Sequence, residues 1–296
     1  MDAPAAEIDI NAALVARLIE AQHPDLAGEL APVANGWDNV IYRLGADLCV
    51  RLPRRRVAVQ LTRNEQRWLP VLARRLPVPI PAPVRVGTPV EGYPWPWTIT
   101  RWYQGRLAAD LPTAARSPAD LARFLAALHA PAPPDAPYNP VRGVPLADRA
   151  AAVAERLSSG AIPYAADLRA VWESATCAPA WSGPPLWLHG DPHPANLLVR
   201  VDAGGAPRLA AVLDFGDLTS GDPATDLAAA WLVFDGAGRA IFREIMDSLA
   251  PVDADTWTRA RGWALSMATA MVLHSDDQPR IAAIGRHALR EVLADP

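Results

Sequence analysis

The sequence predicts an α+β protein of two lobes, a small β-rich N-terminal lobe and a larger, mainly helical C-terminal lobe. Short β segments broken by turns at Asn35-Gly36 and Leu44-Gly45 occupy residues 29–53, whereas helical periodicity takes over beyond Gly105. Length is the third reason. With 296 residues and 51% hydrophobic content, the chain can bury a substantial core and suits two lobes better than one unit. The lobes are expected at residues 1–102 and 103–296.

Taken in order, residues 8–22 carry apolar side chains at helical spacing and should form a helix ending before Pro24. Residues 48–52 (Leu-Cys-Val-Arg-Leu) read as an apolar strand. A helix over 57–76 follows and stops near the proline run at 77–81. The aromatic-rich stretch 95–102 should be the strand leaving the small lobe, with a hinge over 101–105 and its Trp residues in packing roles. Helices are expected over 118–130, 146–158 and 164–176, with the proline-rich 131–145 as a surface connection. Residues 197–201 and 207–213 form the arms of a hairpin turned at Asp202 to Gly205. Further helices should cover 223–234, 238–249, 254–274 and 279–293.

Composition excludes several function classes. No apolar run approaches the ~18 residues of a membrane span, and residues 1–9 are acidic rather than signal-like, so a soluble cytoplasmic protein is expected. Cys49 and Cys177 make no C-x-x-C pair and should be packing residues. A net charge of −4 points to neither nucleic acid nor an anionic membrane. The acidity belongs to the second lobe: residues 1–100 hold 11 Arg against 10 acids, and residues 101–296 hold 17 Arg against 22. Asp235, Glu244, Asp247, Asp276 and Asp277 lie in its last helices and loops, where a solvated face is the simpler reading and a pocket for a polycation the sharper one.

The most informative stretch is His189-Gly190-Asp191-Pro192-His193-Pro194-Ala195-Asn196, followed by Leu213-Asp214-Phe215-Gly216. Phosphoryl transfer needs a carboxylate beside the attacking hydroxyl and oxygen ligands for Mg²⁺ on the phosphates. The H-x-D-x-x-x-x-N and D-F-G spacings supply them as Asp191, Asn196 and Asp214. The hairpin between the two motifs would return both metal ligands to one edge of a cleft. His189 and His193 stand four apart like a zincin pair, but Pro192 and Pro194 forbid a regular helix there.

Together with Gly221-Asp222-Pro223 and Asp226-Leu227-Ala228, these motifs resemble the aminoglycoside phosphotransferase family, part of a protein-kinase-like superfamily. The resemblance covers roughly residues 25–290. It implies a two-lobed kinase-like fold, Asp191 as catalytic base, Asn196 and Asp214 as Mg²⁺ ligands, and ATP or GTP as phosphate donor between the lobes. It also implies that His189 and Asp226 brace the loop, and that residues 33–42 cover the phosphates. The first acceptor expectation is a hydroxyl of an aminoglycoside-like antibiotic, hence antibiotic resistance. A macrolide or an amino-alcohol metabolite is the alternative.

One residue departs from the pattern. The chain contains no Lys, so the strand lysine that kinases place on the α/β-phosphates is absent. The matching position is Arg51, with Glu65 on the next helix as partner. Arg51-Leu52-Pro53-Arg54-Arg55 is similar to an R-x-P-R-R pattern of macrolide phosphotransferases, so arginine here is compatible with transfer. The competing reading is a catalytically silent nucleotide-binding protein. A protein acceptor is disfavoured, because no A-P-E segment follows Asp214.

Overall fold

Residues 5–275 and 277–295 are described by the structure, a computed structural model; Asp276 and the first four residues of the acidic N-terminal segment lie outside them. The chain opens with α1 (Ala12–Gln22), started by Asn11, whose side chain accepts the Leu14 amide at 3.0 Å. It begins four residues later than its periodicity predicts. Its apolar stripe, Leu14, Val15, Leu18 and Ile19, is buried in a core shared with the sheet above it.

That sheet is antiparallel and five-stranded: β1 (Leu30–Asn35), β2 (Asn39–Leu44), β3 (Leu48–Pro53), β4 (Pro83–Gly87) and β5 (Trp97–Arg101), in the order β1-β2-β3-β5-β4. Strand β4 was not expected; it starts at Pro83, just after the proline run. Period-two alternation decides which β3 side chains serve the site: Val50 and Leu52 are fully buried in the core, whereas Cys49 and Arg51 face a cleft. Between β3 and β4 runs α2 (Val57–Leu72), ending a turn early with Pro70 in its last turn.

After β5 the chain forms β6 (Arg106–Leu107), which pairs with β8 (Leu197–Val201) and through it with β9 (Pro207–Val212); β7 (Leu186–Leu188) pairs with β10 (Thr219–Gly221). The rest is helical: α3 (Pro118–Leu128), α4 (Ala150–Ser158), α5 (Ala165–Cys177), the short α6 (Ala224–Leu227) and α7 (Ala229–Leu232), α8 (Gly236–Leu249), α9 (Ala254–Leu273) and α10 (Pro279–Ala294). Asp235 and Asp253 cap α8 and α9.

A second, larger core joins these helices and reaches back to Leu69, Leu72, Val78 and Ile80. The end of α2 and the proline run after it are therefore packed against the helical part. Of the two cysteines, Cys49 is buried as expected, but Cys177 is exposed at the end of α5 and is not a packing residue. Among the described residues, no helix is long and apolar enough to cross a membrane.

Candidate active site

Between the sheet and the helical part lies a cleft of about 630 Å³, and Arg51, Glu65, Asn196 and Asp214 all line it. A hollow of about 840 Å³ on the other side of the hinge contains none of the motif residues. The cleft roof is the β1–β2 turn, with Gly36, Trp37, Asp38 and Asn39; its inner wall includes Cys49 and Thr100, and its hinge edge Trp102 and Tyr103. Trp97 is fully buried, in keeping with a packing role. Trp102 differs, since it lines the cleft while the Arg43 guanidinium covers its ring at 4.7 Å.

Arg51 Nη1 donates to Glu65 Oε2 at 3.0 Å, deep in the wall. Burial pushes the Glu65 carboxyl above the usual carboxylate range, and the Arg51 guanidinium offsets only part of that. Asp214 is close enough to act electrostatically on both partners.

The 189–196 loop is held by the groups its letters suggest. Asp226, fully buried, accepts the amides of His189 and Gly190 at 2.8 Å each and pairs with His129 Nε2 at 3.2 Å. His189 contacts the Leu213 carbonyl through Nε2 at 2.9 Å and accepts the Asp191 amide on Nδ1 at 3.2 Å, tying the two motifs together. Gly190 has φ +87, and a Cβ there would lie 2.4 Å from the Asp217 carbonyl oxygen.

Asp191 stands between two basic partners, Arg142 Nη2 at 3.1 Å from Oδ1 and His193 Nε2 at 3.2 Å from Oδ2. Burial alone would raise its pKa, but His193 and then Arg142 outweigh that and hold it well below the usual carboxylate range. Asp191 is therefore held as a carboxylate with both oxygens engaged.

Asn196 donates from Nδ2 to the Asp191 carbonyl at 3.0 Å, and its own carbonyl accepts the Leu213 amide at 2.8 Å. That register carries the chain to Asp214, an exposed residue with φ +56 whose Oδ1 accepts the Gly216 amide at 3.2 Å. With the Asn196 nitrogen engaged, its side-chain oxygen remains for the cleft. One carboxylate and one amide oxygen, with room for phosphate and water, fit Mg²⁺, which is bound by few protein ligands. Among the described residues no group of three His, Cys, Asp or Glu could hold an ion unaided.

Two site residues escaped sequence reasoning. Arg142 and Asn139 belong to the proline-rich 131–145 segment, which is not a mere surface connection. Asn139 Nδ2 donates to Asp217 Oδ1 at 2.7 Å, and Arg142 Nε lies 3.8 Å from Asp217 Oδ2. The segment is pressed so close that a Cβ on Gly143 would meet Thr219 Oγ1 at 2.4 Å. Burial pushes the Asp217 carboxyl up, with Arg142 opposing. The R-L-P-R-R run also finds a use: Arg54 Nη1 donates to the Gly36 carbonyl at 2.8 Å, and Arg55 Nη2 meets Asp38 Oδ1 at 2.6 Å. Both arginines anchor the cleft roof.

A sequence profile of the phosphotransferase enzyme family (APH) matches residues 29–263. The chain belongs to the phosphotransferase enzyme family. Solved structures agree on the fold. The GDP and kanamycin complex of APH(2")-IIia superposes with a TM-score of 0.70 at 21% identity, covering 95% of this chain and 99% of that one. Macrolide 2'-phosphotransferase MphH from Brachybacterium faecium gives 0.61 at 20% identity, over 96% and 98%. The streptomycin-ATP-APH(2")-IIa ternary complex gives 0.60 at 17%, over 91% and 92%. No significant match was found among curated protein sequences. As a phosphotransferase, the protein has the kinase-like α+β fold its motifs led one to expect.

Proposed function

We propose that this phosphotransferase moves the γ-phosphate of ATP or GTP to a hydroxyl of a small molecule, an aminoglycoside-like antibiotic or a related hydroxylated compound. The reading rests on one juxtaposition: Asp191, oriented by Arg142 and His193, on the same short loop as Asn196, whose backbone is bonded to the chain entering Asp214.

The acceptor hydroxyl gives its proton to Asp191 as its oxygen forms a bond to the γ-phosphorus. The bond from that phosphorus to the β,γ-bridging oxygen breaks, and the nucleoside diphosphate leaves with the electron pair. Asn196 and Asp214 would hold Mg²⁺, which would neutralise charge on the phosphates. Arg51, kept in place by Glu65, contacts the α/β-phosphates; Gly36, Trp37 and Asn39 cover them; the 101–105 hinge, taken as the boundary between lobes 1–102 and 103–296, receives the purine.

Support for an antibiotic acceptor comes from the kanamycin and streptomycin complexes of structural neighbours. The R-L-P-R-R run favours a macrolide instead, as MphH shares the fold. The test is nucleotide titration by calorimetry, followed by nucleotide consumption against a panel of hydroxylated antibiotics and metabolites. Acceptor-dependent turnover lost in Asp191→Ala supports the enzyme. Nucleotide binding without transfer to any acceptor, unchanged in that variant, would instead identify a silent nucleotide-binding protein.

A further inference from the structure

Resting on the phosphotransfer reading, a narrower statement about the acceptor is available from the charges around the loop. A pocket of about 300 Å³ adjoins the nucleotide cleft, with Asp110 lining both and Pro194 of the catalytic loop in its wall. Two arginines, Arg116 and Arg280, face it together with His287, whose imidazole burial keeps from charging easily, against the single acid Asp110, which is already paired with Arg280 at 2.8 Å.

Arg116 is the unusual member. Its guanidinium donates to three backbone carbonyls, Ala108 at 3.0 Å, Leu111 at 3.2 Å and Val233, and no carboxylate lies within ion-pair distance among the described residues. Burial lowers its pKa, which is the mark of a charge not fully compensated. The acid closest in effect, Asp235, is occupied in capping α8 and in accepting from Thr113 Oγ1 at 2.7 Å.

Two further acids near the loop are engaged: Asp217 is held by Asn139 and Arg142, and Asp222 by Arg259 at 2.6 Å. In this pocket a polycationic amino sugar would meet two guanidinium groups and one acid that is already paired.

We infer that the pocket bounded by Asp110, Arg116, Pro194, Arg280, Ala283 and His287 is an acceptor subsite for an oxyanion, which narrows the acceptor proposed above from an aminoglycoside-like antibiotic to a related hydroxylated compound bearing a carboxylate or phosphate. The anion displaces Asp110 from Arg280 and neutralises Arg116, while the acceptor's hydroxyl extends past Pro194 toward Asp191. The apolar wall of Leu232, Ala283 and Ile284 takes the carbon skeleton.

The experiment uses the full chain with MgADP, whose own binding is titrated first. Gluconate, glucose 6-phosphate, glucose and kanamycin are then titrated calorimetrically. Gluconate tests a carboxylate source and glucose 6-phosphate a phosphate source. At least one of the two anions should bind and glucose should not. Ala283→Trp, which fills the pocket from an exposed helix position, and Arg280→Gln should each weaken the anion by about tenfold or more, with MgADP affinity unchanged. Binding of neither anion, anion binding indifferent to Ala283→Trp, or tight kanamycin binding would overturn the inference. Absent MgADP binding would instead count against the phosphotransfer reading itself.

Discussion

Arg51 and Glu65 meet at 3.0 Å inside the wall of the nucleotide cleft, one from strand β3 and the other from helix α2. Two buried charges attract strongly but each loses its water, so removing one partner strands the other. With Arg51 on the phosphates as proposed, the pair would link nucleotide binding to stability.

Arg51→Met is expected to destabilise the fold by about 3–5 kcal/mol, because it leaves Glu65 buried without its cation. Adding Glu65→Leu should recover most of that loss in urea unfolding, while nucleotide affinity stays low. Arg51→Lys keeps the charge and should bind nucleotide. Wild-type nucleotide affinity in the Met/Leu double variant would show that Arg51 does not contact phosphate.

Asp191→Asn should lower kcat by roughly 10²–10⁴-fold with the nucleotide Kd unchanged. The pH behaviour follows from the depressed pKa of Asp191. A carboxylate lowered on folding adds stability that is present above its unfolded pKa of about 3.9 and lost as pH falls through the folded value. Arg142→Gln brings the folded value back up, so the variant should be less stable than wild type at pH 7, with the gap narrowing as pH falls below the unfolded value and closing only below the depressed folded value of Asp191. Its acidic limb in kcat/KM should move to higher pH. Identical limbs in the two proteins would exclude Arg142 as a positioning residue for Asp191.

Asp214 occupies left-handed backbone at φ +56, a conformation glycine adopts without strain. Asp214→Gly should therefore leave unfolding free energy the same or higher by up to about 1 kcal/mol, despite loss of Mg²⁺-dependent turnover. Titrations with and without Mg²⁺ separate the effects: the metal's contribution to nucleotide affinity should vanish, leaving the metal-free affinity.

Arg55→Ala releases Asp38 from the cleft roof. The nucleotide KM is expected to rise several-fold, with kcat less affected and stability changed by about 1 kcal/mol or less. A nucleotide-dependent change in fluorescence, taken as the difference between the protein and Trp37→Phe, should shrink in the variant.

The parts of the site readable from sequence are those that are local. Asp191, Asn196 and Asp214 were legible because a five-residue offset and a hairpin impose their separation whatever surrounds them. Arg51 and Glu65 were legible only through the family resemblance, which places a basic residue on this strand and its Glu partner on the helix that follows. Arg142 and Asn139 were not. They reach Asp191 and Asp217 from 49 and 78 residues away along a segment whose prolines signal only irregular backbone. Strand β4, only five residues long, was not read from the sequence, and α6 and α7 appeared as one periodic stretch because both are buried on every side. The duty of Arg54 and Arg55 depended on how the β1–β2 turn folds back over β3, a tertiary fact with no local signature.

The arginine on strand β3 has a practical corollary for anyone surveying nucleotide-utilising enzymes. Acylating nucleotide probes label such proteins by reacting with a primary amine beside the phosphates, and a guanidinium is far too weak a nucleophile at neutral pH to take its place. A proteome profiled with those reagents would pass over this enzyme even with its cleft fully loaded, whereas an arginine-selective dicarbonyl would have a foothold there.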